Sequence, residues 1–221
     1  MVSNALDPHH IKARIKHPIL IRRIDYGGKR VFDLVVAGLV TVFLLSWLIP
    51  LVGIVIMLTS RGPAIFMQTR SGLNGRHFTC YKFRTMRWSA SKGPFTQALK
   101  DDARVTPIGR FLRRTNLDEM PQFLNVLVGH MSIVGPRPHP IQLDAEFWFS
   151  LPNYPHRYQV KPGITGLAQA CGCRGETRSP LKMKHRLMYD QFYIQKASMW
   201  LDISICLQTL ISMMRGNTDA F

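Results

Sequence analysis

The sequence predicts an α+β protein, mainly helical and monotopic in a membrane: a re-entrant helix-break-helix, interfacial amphipathic helices and a small β-hairpin. Three observations carry this prediction. The stretch from Leu34 to Thr59 is uncharged over 26 residues, beyond the roughly 20 that a spanning helix needs. Basic residues crowd both of its ends: Lys12, Arg14, Lys16, Arg22, Arg23, Lys29 and Arg30 before it, and Arg61, Arg70, Arg76, Lys82, Arg84 and Arg87 after it. Downstream, two strand-like runs within residues 64 to 86 flank a turn-rich segment.

Charge narrows the partners. Twenty-nine Lys and Arg against 13 Asp and Glu leave +16, which calls for a polyanion: nucleic acid, anionic lipid or phosphorylated substrates. The apolar stretch favours lipid, and with no DNA- or RNA-binding signature no nucleic acid partner is expected. At 221 residues the chain fits one compact domain, or one with an appendage. Three segments are expected: a basic N-terminal interfacial segment over 1–28, the re-entrant helix over 29–60 and a cytosolic domain over 61–221.

The N-terminal segment carries Ile11, Ile15, Ile19, Leu20 and Ile24 among its basic residues, suiting a surface helix on anionic headgroups that Pro18 splits. The apolar run is too long for the h-region of a signal peptide, and "LTSRGP" offers no small-x-small cleavage site, so it is expected to be retained. Positive charge on both flanks would hold both in the cytoplasm. Pro50 lacks an amide hydrogen and supplies a break, and the Ser46 hydroxyl one turn earlier satisfies freed backbone groups. Re-entry is favoured on these grounds; a kinked spanning helix is the alternative.

The hairpin turns at Ser71-Gly72-Leu73-Asn74-Gly75, and period-two alternation puts Lys82 and Arg84 on one face. Residues 89 to 102 read as a mobile loop. Thr106 and Pro107 open a helix with Ile108, Phe111 and Leu112 at helical spacing, and Pro121 restarts the chain into a second. "MSIVGPRPHP" reads as extended and proline-stiffened, residues 161 to 177 as mostly loop, and residues 181 to 196 as a polar helix. "SMWLDISICLQTLISMM" is short for a span, so a buried or interfacial helix is expected. Cys80, Cys171, Cys173 and Cys206 lack zinc-ligand spacing and read as reduced thiols.

The chemistry gathers around adjacent acids. Asp118 and Glu119 follow Arg104, Arg110, Arg113 and Arg114, with Arg137 later between Pro136 and Pro138. Arg110, Arg113 and Arg114 share a helical face that could offer bidentate donors to phosphate, or could simply face solvent or headgroups. Helix capping alone would explain Asp118 and Glu119. The functional alternative has one carboxylate holding Mg²⁺, which needs only one or two carboxylates plus substrate phosphates, while the other attacks phosphorus. The prolines fix the backbone around Arg137 for phosphate binding. Lys82 and Arg84 could clamp a diphosphate or form an exposed basic strand. Asp202, a lone charge in an apolar helix, reads as a first-turn acid or as a second metal or arginine contact.

"KRVFDLVVAGL", "RGPAIFMQTRSGLNGRHFTCYKFRTM", "DDARVTPIGRFLRRTNLDEMPQFLNVLVGHMSIVGPRP" and "VKPGITGLAQ" together resemble the bacterial sugar transferases that act as monotopic polyprenol-phosphate phosphoglycosyl transferases. The likeness covers roughly residues 28 to 216, in order. It implies an enzyme on the cytoplasmic face of the bacterial inner membrane that moves hexose-1-phosphate from a UDP-hexose to undecaprenyl phosphate, releases UMP, needs Mg²⁺ and initiates exopolysaccharide synthesis. It further implies Asp118 as nucleophile, Glu119 as metal ligand, Pro136 to Pro138 as the phosphate-binding element and Ser46 to Pro50 as the membrane break. Phosphate-binding roles are expected for Lys82, Arg84, Arg104, Arg114 and Arg137. His130 stands where the family often has an acid, leaving that position without an assigned role. Larger relatives place further domains ahead of the catalytic part, so this chain resembles a minimal catalytic form. "CGCRGET" with "YDQFYIQKASMWLD" is most similar to members that transfer glucose or galactose. Single displacement by the same residues, a non-catalytic membrane adaptor and a homodimer are the alternatives the sequence leaves open.

Overall fold

The computed structural model describes residues 26–89, 97–98, 102–173, 175 and 179–214. The interfacial helix expected over 1–28 lies outside them up to residue 25, as does most of the loop expected over 89 to 102.

The apolar run forms α1 (Lys29–Val40), a π-helical turn at Thr41–Leu45, and α2 (Ser46–Thr59), with Pro50 inside α2. Lys29–Thr59 is thus a 31-residue helical stretch, long and apolar enough to cross a membrane. The expected break between Ser46 and Pro50 is corrected to a change of helical register one turn earlier. Pro50 offers no N–H and crowds the carbonyl four residues back, and a widened turn just N-terminal of Ser46 accommodates this. Ser46 Oγ donates to the Val42 carbonyl (2.7 Å) and Trp47 Nε1 to that of Phe43 (2.9 Å), so side chains serve carbonyls within the widened turn.

Both halves of this stretch pack on the same body. From α1, Ala37 is fully buried and Phe32 and Val36 join it against Phe78, Val126, Ile133, Tyr193 and Ile205. From α2, Ile56 with Ile49 and Val52 packs against Phe83 and Leu112. The opposite face leaves Val35, Leu39, Phe43, Trp47, Leu51, Ile54, Met57 and Leu58 exposed, an apolar strip far longer than a water-facing surface normally carries.

The hairpin forms as expected. β1 (Ile65–Ser71) and β2 (His77–Phe83) pair antiparallel from Ile65↔Phe83 to Ser71↔His77. Asn74 (φ 56°) and Gly75 (φ 70°) make its turn. Arg84, expected beside Lys82 at a diphosphate, is corrected: it is buried, and its Nη2 donates to the Ser60 carbonyl (2.8 Å) while Nη1 donates to that of Arg61. It closes the C-terminal end of α2, whose last carbonyls have no helical partner.

Thr106 caps α3 (Pro107–Arg114), its hydroxyl accepting from the Gly109 amide (3.0 Å). A Cβ on Gly109 would lie 2.0 Å from the Thr85 carbonyl oxygen, so this helix rests directly on backbone. Then follow α4 (Gln122–Leu127), β3 (Ser132–Val134), α5 (Ile141–Phe147), a 3₁₀ turn at Tyr154–Gln159, β4 (Gly163–Thr165) and α6 (Leu167–Ala170). Last among the described residues come α7 (Pro180–Lys196) and α8 (Met199–Met214). β3 and β4 pair in parallel, a contact the loop expectation for residues 161 to 177 did not contain.

Asp202 lies in the first turn of α8, as its first reading expects, and is fully buried; its cationic partner is a lysine rather than the arginine of the alternative. Lys29 Nζ and the Tyr26 hydroxyl donate to one carboxylate oxygen, and the Tyr193 hydroxyl to the other (2.9 Å).

Candidate active site

Asn116 adopts the left-handed conformation (φ 56°) and turns the chain out of α3 into a 3₁₀ turn, Leu117–Glu119. Leu117 and Met120 pack against the cluster of Ile56, Phe83 and Leu112. Their apolar anchoring fixes the two acids between them beside β2 and the segment after β3.

There Glu119 is clamped. Arg137 Nη1 donates to its Oε2 (2.9 Å) and Nη2 to its Oε1, a bidentate pair, while Lys82 Nζ reaches Oε1 at 2.6 Å. Burial would raise the Glu119 pKa, but the charges of Arg137 and Lys82 overcome it and hold the carboxylate well below its ordinary value. Burial likewise opposes the charge on Arg137, and Glu119 restores it, lifting the guanidinium above its ordinary value.

Asp118 is the contrast. No hydrogen bond or ion pair engages its carboxylate among the described residues. Burial pushes its pKa up to about 6; Lys82 opposes that rise, Glu119 adds to it, and Arg113 and Arg137 oppose it. The two acids are thus separated by environment: Glu119 is fixed and held well below the ordinary carboxylate range, and Asp118 is unattached with its pKa pushed up to about 6.

The predicted arginines divide. Arg137 and Lys82 are at the centre. Arg104 is paired with Asp102 (2.6 Å), and Arg114 stands exposed on the last turn of α3. On the predicted arginine face of α3, Arg110 is exposed and Arg113 turns inward, Nε donating to Thr85 Oγ1 (2.9 Å). Burial lowers the Arg113 pKa and Asp118 raises it, which marks Arg113 as a neighbour of the free carboxylate. Behind Arg137 stand residues that sequence reasoning did not select: Arg70, His139, Asp144, Arg157 and Asp190, all buried. Nothing local in the sequence sets them apart from solvated polar residues.

Among the described residues no three His, Cys, Asp or Glu side chains cluster as a metal cage. Mg²⁺ does not require one. Glu119 Oε2 accepts a single bond, leaving one lone pair, and Asp118 is adjacent and free. Lys82 and Arg137 would repel a bare cation, so the residues fit Mg²⁺ only together with the negative charge of a diphosphate.

A sequence model of the family described as Bacterial sugar transferase matches residues 24–216. The chain is 44% identical over 187 residues to the UDP-glucose:undecaprenyl-phosphate glucose-1-phosphate transferase of Klebsiella pneumoniae, covering 85% of this chain and 40% of that protein. It is 46% identical over 186 residues to the protein of the same name from Caulobacter vibrioides, covering 84% and 69%. It is 42% identical over 193 residues to the exopolysaccharide production protein PSS of Rhizobium leguminosarum bv. phaseoli, covering 86% and 96%. The chain therefore spans about two fifths of the first of these relatives.

Proposed function

Because the chain belongs to the bacterial sugar transferase family, we propose that it transfers hexose-1-phosphate from a UDP-sugar, glucose foremost, to undecaprenyl phosphate and releases UMP. The observation that carries this reading is the free Asp118 carboxylate beside a Glu119 locked by Arg137 and Lys82.

An Asp118 carboxylate oxygen attacks the sugar-bearing β-phosphorus. The bridging P–O bond breaks, and UMP leaves with the electron pair. An oxygen of undecaprenyl phosphate then attacks the same phosphorus, breaking the acyl-phosphate bond, and Asp118 is regenerated. Lys82, Arg113 and Arg137 surround the carboxylate and meet the charge that builds on the phosphoryl oxygens. Glu119 is the residue that would hold Mg²⁺, whose charge would offset that of the diphosphate.

The membrane part of the proposal is re-entry from the cytoplasmic face. Its support is that α1 and α2 both pack on the body carrying Asp118 while their opposite faces stay apolar and exposed. Cysteines engineered at positions 27 and 76 are expected to label from the same side of intact inner-membrane vesicles. Opposite sidedness would overturn re-entry.

The test of the reaction is UMP release measured across UDP-glucose, UDP-galactose and their N-acetyl forms, with and without undecaprenyl phosphate. Release before acceptor is added, stoichiometric with enzyme and strongest with UDP-glucose, is expected. Strict dependence on acceptor would favour single displacement, and no release from any donor would sink the enzyme reading.

A pH dependence follows from Asp118. Its carboxylate is ionised above about pH 6 and protonated below, so the attacking form is lost as pH falls. kcat/KM for UMP release, which reports the free enzyme, is expected to drop about tenfold per pH unit below that point. A profile flat down to pH 4.5 would remove Asp118 as the titrating group.

A further inference from the structure

Residues 136–138 carry Arg137 to the site on a segment with few donors of its own, because Pro136 and Pro138 have no N–H. Its position is set through its acceptors. Three consecutive carbonyls are each held by a different element: that of Pro136 by the Gly163 amide of β4 (3.0 Å), that of Arg137 by Arg157 Nη2 (2.8 Å), and that of Pro138 by Arg70 Nη1 from β1.

Arg157 is 3% exposed, so its charge needs a buried counter-charge. Asp190 on α7, also 3% exposed, supplies it: the same Nη2 that holds the Arg137 carbonyl lies 2.9 Å from Asp190 Oδ2. Among the described residues Asp190 is the one carboxylate in an ion pair with Arg157. Its Nη1 reaches the Tyr154 hydroxyl at 3.2 Å and the His139 ring, and the Tyr154 and Tyr158 rings lie 5.3 and 5.9 Å from the guanidinium carbon. Burial and the surrounding arginines keep His139 neutral. Asp144 acts on Arg157 from further off: its Oδ1 accepts from the Tyr154 and Tyr158 hydroxyls, and among the described residues it forms no ion pair with the guanidinium.

We propose that Asp190 and Arg157 are positioning residues for the transfer: the pair fixes the Arg137 carbonyl and so aims the Arg137 guanidinium at Glu119. Neither touches the reacting phosphorus; both act through Arg137. The activity side of this inference rests on the transferase reading, whereas the aiming of Arg137 does not.

The test uses the full chain in detergent, with Asp190→Asn, Asp190→Glu and Arg157→Lys. In ¹⁵N-arginine spectra the Arg137 Nε–H signal, identified by its loss in Arg137→Lys, should exchange with solvent at least tenfold faster in Asp190→Asn and Arg157→Lys. UMP release should fall by about 10- to 100-fold, the scale expected when a positioned group is misplaced by about 1 Å. Asp190→Glu should recover part of both. In an Arg137→Ala background, Asp190→Asn should lower the rate by less than about twofold, because the group it positions is gone. A merely structural role predicts equal losses in both backgrounds. Unchanged Arg137 protection, or full multiplication of the two losses, overturns the proposal. Where Asp190→Asn fails to fold, Arg157→Lys, which keeps the charge, decides. If the wild type releases no UMP from any donor, the transferase reading falls, and the Arg137 exchange rates still decide the positioning.

Discussion

Asp118→Asn is expected to lower UMP release from UDP-glucose by about 10³-fold or more, the scale on which loss of a covalent nucleophile is felt. The substitution keeps shape and removes the attacking oxygen's charge. Asp118 makes no hydrogen bond among the described residues, so its amide replacement orphans no partner and leaves the Glu119 clamp intact. Binding of UDP-sugar and thermal stability should therefore stay near those of the wild type while turnover is lost. That combination separates a nucleophile from a capping acid, whose loss costs about 1 kcal/mol of stability and little else. The complementary observation is a phosphosugar adduct on the Asp118 peptide, trapped by acid quench after UDP-glucose is added without acceptor. If Asp118→Asn still released UMP at a tenth of the wild-type rate, covalent catalysis by this residue would be untenable.

The dyad and Arg137 were legible because each announces itself locally: two adjacent acids at a helix start, one arginine between two prolines. Their meeting was not, since Glu119 bonds residues 18 and 37 positions away. Lys82 and Arg84 show how a correct pattern misleads. Alternation places both on one strand face, yet β2 ends at Phe83, and past its end Arg84 is free to turn toward the carbonyls at the end of α2. The apolar run was readable from composition alone, and the hairpin from its turn residues. β3 and β4 have three residues each, too few to show any period. The buried arginines behind Arg137 were hidden for a related reason. In one sequence a charged residue that will be buried looks the same as one that will be solvated, and only the fold supplies its counter-charge.

Lys29→Met is expected to destabilise the protein by about 3–5 kcal/mol, because it strands a buried carboxylate. Asp202 is fully buried, and Lys29 is its only cationic partner among the described residues. The same ammonium group donates to the Val134 carbonyl (3.2 Å) and lies 3.5 Å from Asp33, which in turn accepts from Ser132 Oγ (2.9 Å) and the Ile133 amide (3.0 Å). One cluster therefore ties the start of α1 to α8 and to β3, the strand that leads into Arg137. The apolar outer face of α1 gives no reason to choose this docking over others; the buried charges do. Removing the cation leaves the Tyr26 and Tyr193 hydroxyls as neutral donors, which do not compensate a buried charge. In detergent the midpoint of thermal unfolding should fall by roughly 10 °C, given ~2–4 °C per kcal/mol for a chain of this size. Adding Asp202→Leu to Lys29→Met should recover part of the loss, since the stranded Asp202 charge is removed while buried Asp33, 3.5 Å from the Lys29 ammonium, stays without that cation. UMP release should recover less than stability, because the docking of α1 that leads through β3 to Arg137 would be made by packing alone. A Lys29→Met midpoint within about 2 °C of the wild type, or no recovery in the double variant, would mean that this clasp does not anchor the apolar helix to the catalytic body.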